Sequence, residues 1–385
     1  MRFLNIAFGL IRVSTAILTL DRKACQFPTE NPLDGCPRDT LVIGAGQKYT
    51  TVQSAILSLP NDTTRHHILI LPGNYTEQVN VTRPGPVYLF GQTRSPNDQK
   101  LNTVNIIWRN ATGAGVNSTL DNAYTSTLTV APTFNSSKTG SGPTGDPVLE
   151  GTPFGNLDFR AYNIDFINDF RDYATGPALA LSVSYANTGF YYCGFYSYQD
   201  TVYVGKLGNA YFYKNELAGQ TDFFYGFGTA WIASSLVTLR NCGGGITAWK
   251  GTNTTFENKY GVYIHDSDVK KANSSLAIAG KCALGRPWNA QHRSIFANCN
   301  LDDSIRASGY IAWGATDPRL GANTTMAEYK DYGPGWNVAG RAVGNVTIVM
   351  NDAQYKPYST VEKVFQHPFN GSFGYTKWID DKPEG

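Results

Sequence analysis

Charge is scarce in this chain. Asp, Glu, Lys and Arg make up 16% of 385 residues, and the net charge is +2. No lysine- and arginine-rich stripe occurs, which argues against a nucleic-acid binder. Long apolar runs are missing too, so no segment is read as a membrane-spanning helix. The six cysteines contain no Cys-x-x-Cys pair and form no cluster with the five histidines at metal-ligand spacing. Neither a metal nor another cofactor is expected. There is no Gly-x-Ser-x-Gly elbow, phosphate loop or dinucleotide fingerprint.

The chain does have 39 glycines and 13% aromatic residues. That balance suits many short strands with frequent turns better than long helices. Residues 155–303 carry a recurring segment: FRAYNIDF, FYYCGFYS, FYKNELAG, LRNCGGGI, YIHDSDVK and FANCNLDD. Anchored on Tyr162, Cys193, Asn215, Cys242, Ser267 and Cys299, the steps are 31, 22, 27, 25 and 32 residues. Steps of this size predict the coils of a parallel β-helix with loops of unequal length. A β-sandwich is the competing architecture, but it does not explain a motif recurring at one-coil spacing. Upstream, Thr50 or Thr51 is an N-cap for Val52, Ala55, Ile56 and Leu59 at helical spacing, and Pro60 is the stop. This predicts a short helix capping the open end of the solenoid.

Within the repeat, FYYCGFYSYQD and FYKNELAGQTD align. Asp200 and Asp222 then stand 22 residues apart at equivalent positions. On successive coils such positions stack about 4.8 Å apart. Two carboxylates at ~5 Å and an effective dielectric of ~20 repel by about 3 kcal/mol, or about two pKa units. One is therefore expected to keep its proton and the other to stay ionised, giving an acid beside a nucleophile or base.

Residues 1–20, MRFLNIAFGLIRVSTAILTL, have a basic start and an apolar run interrupted by Arg12. They read as a secretory signal, and residues 21–385 as one β-helical domain. Sequons at Asn61, Asn74, Asn80, Asn110, Asn117, Asn135, Asn253, Asn273, Asn323, Asn345 and Asn370 agree with a secreted glycoprotein. Cys25 and Cys36 bracket a Pro-rich loop and are the first disulfide candidate, and Cys282 with Cys299 is the second. Cys193 and Cys242 read as buried thiols.

Four motifs in order carry a family resemblance: Gly73-Asn-Tyr75-Thr-Glu77, Tyr198-Gln199-Asp200-Thr201, Gly219-Gln-Thr-Asp222-Phe-Phe-Tyr-Gly226 and Leu284-Gly285-Arg286-Pro287-Trp288. With the later EYKDYGPGW stretch, the chain resembles the pectinesterases (pectin methylesterases), particularly the fungal ones, over roughly residues 40–350. The resemblance implies an all-β fold, a right-handed parallel β-helix, and a monomeric, extracellular enzyme. It implies action on pectin, a methyl-esterified homogalacturonan, with neither nucleic acid nor membrane as partner. Asp222 would be the nucleophile and Asp200 the acid and base. Arg286 would hold Asp222 ionised. Gln199 would donate to the oxyanion. Trp288 and Tyr225 would contact the sugar, and Tyr75 and Glu77 are read as structural.

Two departures stand out. The family's second oxyanion glutamine, in a Gln-Ala-Val-Ala-Leu run, is replaced in Pro177-Ala-Leu-Ala-Leu181, and proline has neither an amide side chain nor a backbone N–H. The nucleophile segment reads Asp222-Phe-Phe-Tyr-Gly226 where the family has Asp-Phe-Ile-Phe-Gly. Gln220, on the Asp222 side of an extended strand, or Tyr225 would then replace the lost donor. The competing functions are a β-helical polysaccharide lyase and a non-catalytic pectin-binding relative.

Overall fold

The computed structural model describes residues 21–113, 120–140 and 151–384. The expected signal segment and the Asn117 sequon lie outside them. Among the described residues, short strands stack in parallel into three sheets of eleven, eight and six strands, called here the long, middle and short sheets. Each coil contributes to the sheets in turn, and its strands pair with the coils before and after. This is the expected parallel β-helix.

Alternation along the strands explains the aromatic content. Asn187–Tyr191, Asn209–Tyr213 and Thr229–Ala233 pair in register, so Phe190, Phe212 and Ile232 align, as do Tyr191, Tyr213 and Ala233. The first set points inward, where Phe190 stacks on Phe212 at 5.2 Å between ring centres. Phe166 and Phe195 form a second interior stack at 5.4 Å. Burying each such ring stabilises the coil by roughly 2–3 kcal/mol. Tyrosines of the second set face outward, and Tyr191 stacks on Tyr162 at 4.7 Å. The C-terminal segment packs over this outer face: Asp380 accepts from the Tyr162 hydroxyl at 2.8 Å, and Trp378 and Phe365 join a buried cluster with Trp231 and Tyr263.

The turn between the long and middle sheets repeats one backbone state. Asn163, Tyr192, Lys214, Ser234, Asp266, Asn298 and Lys330 all have φ between 49 and 55°. The register then aligns Asp165, Gly194, Glu216, Leu236, Asp268 and Asn300. The equivalent anchors are therefore Ile164, Cys193, Asn215, Ser235, Ser267 and Cys299. Two of the six sequence anchors need correction: Ile164 replaces Tyr162, and Ser235 replaces Cys242. Chain spacing misled the alignment because the coil carrying Ser235 is short and is followed by a long strand, Leu236–Gly243.

The predicted helix is Val52–Leu57, with Thr51 as N-cap accepting from Ser54 N at 3.2 Å. Val52, Ala55 and Ile56 belong to the main core. Glu77 accepts from Val52 N and Gln53 N at 2.7 and 2.8 Å, and Tyr75 donates to Leu71 O. Both residues are structural, and Glu77 satisfies first-turn N–H groups that have no partner within the helix. A second short helix, Arg22–Gln26, was not foreseen in the lead-in.

Cys25 pairs with Cys36 as expected. Cys282 pairs with Cys242 rather than Cys299. Cys299 is fully buried, with its sulfur directed at Ile264 O, and Cys193 is likewise a buried free thiol. Cys242 lies at the end of its strand, within 4.9 Å of Cys282 between Cα atoms.

Candidate active site

The aspartates sit where the middle sheet turns into the short sheet. Val202–Val204 and Phe224–Gly226 pair in register, which places Asp200 and Asp222 at the same position of successive coils. Both have left-handed backbones, with φ of 60 and 47°. Asp200 N donates to Thr221 O at 3.1 Å, and Asp222 N to Gly245 O at 2.7 Å. The register continues through Thr221 and Gly243, so Gly244, with φ 56°, stacks third.

Gly244 explains the Gly-Gly-Gly run. A β-carbon there would lie 2.4 Å from Asp222 Oδ1 and 2.8 Å from Arg286 Cζ. The bare backbone leaves that space for a bidentate pair: Arg286 Nε to Asp222 Oδ1 at 3.0 Å and Nη2 to Oδ2 at 2.5 Å. Gly245 N adds a third donor to Oδ1 at 3.0 Å. Gly285 packs against Thr247, and the Cys242–Cys282 disulfide ties the segment leading to Arg286 to the strand leading to Gly244.

Both carboxyls are more than nine-tenths buried. Burial is the largest influence on each and raises both above the ordinary carboxylate range. For Asp222 the Arg286 pair and the Gly245 N–H oppose that rise. For Asp200 the charge of Asp222 adds to it, and Asp200 ends well above the usual value. The expected split needs correction: desolvation outweighs mutual repulsion, and Arg286 moderates the rise at Asp222 without reversing it, so the two carboxyls differ in the extent of the rise and not in its direction.

The other sequence candidates gather around the pair. Gln199 is half-buried; its carbonyl accepts from Ala178 N at 3.1 Å, and its side-chain amide makes no hydrogen bond among the described residues. The Tyr225 hydroxyl is buried and makes no hydrogen bond of full geometry among the described residues; Asp200 is its strongest charged influence, and Asn122 lies close enough to act on it as a donor. Its ring lies 5.5 Å from Trp288, which also meets Phe227 at 5.8 Å. Trp288 is half-buried, and the Lys250 ammonium lies 3.3 Å from its ring centre.

Gln220 is placed differently from the strand-parity expectation. The strand ends at Thr221 and Asp222 is left-handed, so alternation does not carry across to it. The Gln220 side-chain carbonyl accepts from Ala174 N at 3.2 Å.

Three side-chain features escaped the sequence reading. Trp313 has the guanidiniums of Arg286 and Arg319 at 4.0 and 4.1 Å from its ring centre. Arg319 also donates to Trp288 O at 3.1 Å. Asn122 donates through Nδ2 to Asp200 Oδ2 at 3.2 Å. The Gly-Gly-Gly run at 243–245 is visible in the sequence, whereas Trp313, Arg319 and Asn122 carry no motif.

This geometry can be set beside known proteins. The pectinesterase family model matches residues 153–367. Pectinesterase A of Emericella nidulans is 30% identical over 283 residues, covering 73% of this chain and 76% of its own. The probable pectinesterase A of Aspergillus oryzae is 27% identical over 322 residues, covering 83% and 88%. Among solved structures, the pectin methylesterase of Aspergillus niger superposes with a TM-score of 0.69 at 24% identity, over 90% of this chain and 98% of that one. That likeness supports the fold, while the family match and the curated relatives support the class. The chain belongs to the pectinesterase family and is an enzyme, a carboxylic ester hydrolase.

Proposed function

We propose that this enzyme removes methyl esters from the galacturonate units of pectin through an aspartate nucleophile. Asp222 attacks the ester carbonyl carbon, and the carbonyl electrons move onto oxygen. Gln199 donates its amide to that oxyanion. The intermediate collapses with cleavage of the C–OCH3 bond, and Asp200 gives its proton to the departing methoxide. Water then attacks the acyl-aspartate, losing its proton to Asp200, and frees galacturonate and Asp222. Arg286 aims the nucleophile, and Trp288 and Tyr225 contact the sugar.

The observation that carries this reading is the Arg286–Asp222 pair with Asp200 stacked one coil before it. A nucleophile held by a guanidinium and an acid held neutral by burial are the two states the reaction needs at its start. The test is methanol release from methylated pectin by wild type and by Asp222→Asn. Release by wild type with loss in the variant is expected, and equal release by both would reject the nucleophile.

The non-catalytic alternative gives way to the family match, and Pro177, whose coil offers no amide at the expected place, bears on the rate of the reaction. The working form in our reading is residues 21–385, a secreted monomer. Exposed sequons at Asn61, Asn74, Asn135, Asn253, Asn273, Asn323, Asn345 and Asn370 support secretion. N-terminal sequencing and light scattering of secreted protein check cleavage and monomer state.

A further inference from the structure

The coil that carries Pro177 has no polar side chain to offer at the aspartates, yet Asp200 does not lack an amide donor. We propose that Asn122 is a positioning residue for Asp200, holding one carboxyl oxygen so that the transferable proton resides on the other. This rests on the esterase reading given above.

Asn122 begins a short 3-10 turn, Asn122–Thr125, two coils before Asp200. The strands that follow the three segments, Leu128–Val130, Leu181–Val183 and Val202–Val204, pair in that order. The intervening coil presents Pro177 and Ala178, which are small and apolar, so the Asn122 side chain crosses it and reaches Asp200 Oδ2 at 3.2 Å. The turn is anchored at several points. Asp121 accepts from Ala123 N, Thr139 N and Gly140 N; Thr125 Oγ1 donates to Asn122 O and accepts from Leu179 N; Asn168 donates to Thr125 O. An amide fixed this way has little freedom left to lose when it binds the carboxyl.

An amide N–H only donates, so Oδ2 must accept and a neutral Asp200 must carry its proton on Oδ1. Oδ1 accepts no hydrogen bond among the described residues and is free to deliver that proton. Among the described residues, the groups that face Asp200 are Asp222 and Tyr225 from the next coil, Arg286 from the coils beyond, and Asn122 beside Asp121 from the 3-10 turn; the described residues of the Pro177 coil add none. Among them, Arg286 and Asn122 favour the ionised form of Asp200. Removing Asn122 therefore raises the Asp200 pKa further and loosens its aim.

The experiment compares wild type, Asn122→Ala and the isosteric Asn122→Asp for kcat, KM and the pH profile of methanol release. The proposal expects kcat in the alanine variant to fall by about tenfold with KM changed less than about twofold, the loss of one oriented proton donor. It also expects the alkaline limb, set by ionisation of Asp200, to move to higher pH in both variants. Wild-type kcat with an unmoved alkaline limb in either folded variant overturns it. If wild type itself releases no methanol, the esterase reading fails separately. Carboxyl carbon NMR of Asp200 in wild type and Asn122→Ala then decides: a higher pKa in the variant supports the contact, and equal values overturn it.

Discussion

Two turns of the same solenoid use the same backbone state to opposite ends. Between the long and middle sheets, the residue after each left-handed position builds a ladder of complementary groups. Cys193 N donates to Asn215 Oδ1, Asn215 N to Ser235 Oγ, Ser235 N to Ser267 Oγ, and Cys299 N to Asp331 Oδ1, at 2.6–3.1 Å. Between the middle and short sheets, the left-handed residues themselves are Asp200, Asp222 and Gly244, and two carboxyls stack. A repeating fold multiplies whatever it places at one position. Donor over acceptor satisfies the backbone, whereas acid over acid stores an electrostatic conflict that chemistry can use.

The largest test of that contrast removes the charge. Asp222→Asn is expected to lower kcat by about 10³-fold or more, because an amide is a poor nucleophile. Thermal unfolding should change far less than kcat, since relief of a buried carboxylate and loss of the partner of Arg286 oppose each other. Next comes Gly244→Ala. Its methyl meets the Arg286–Asp222 pair, and its φ of 56° suits glycine, so a loss on the order of 10²-fold in kcat is expected together with about 1–2 kcal/mol of stability. Preserved activity in this variant would show that the pair does not need the bare third coil.

The complementary ladder should respond in stability alone. Asn215→Ala leaves Cys193 N and Phe190 O without their partners, and about 1–3 kcal/mol is expected to be lost in denaturant unfolding, with kcat and KM unchanged below the transition. A change in kcat would mean that the two turns are coupled. The smallest effect is a pH-dependent one. The folded-state pKa of Asp200 is raised, so its contribution to stability is present at low pH and lost as pH rises through that value. Asp200→Asn should therefore gain stability relative to wild type at alkaline pH and show no gain well below pH 4, while losing turnover. An equal difference at both ends of the pH range would contradict the raised pKa.

The sequence made the aspartate stack legible because both residues lie on one coil step, and the 22-residue offset is the separation of Cys193 and Asn215 in the ladder. The capping helix was legible from its N-cap, its spacing and its proline. Arg286 stood out through its motif, although its contact spans 64 residues of chain. Asn122 and Trp313 carried no local signal. The cysteine pairing also failed to follow spacing: Cys282 reaches back 40 residues to Cys242, while Cys299 turns into the core.

Local order and periodicity thus determined the coils, the cap and the chemical identity of the acidic pair, since those depend on neighbours in the chain and on one repeating step. Which side chains close around that pair was decided only on folding. Loops of unequal length set which coils meet, and burial, a property of the assembled solenoid, raised the pKa of both carboxyls, which mutual repulsion alone would have split.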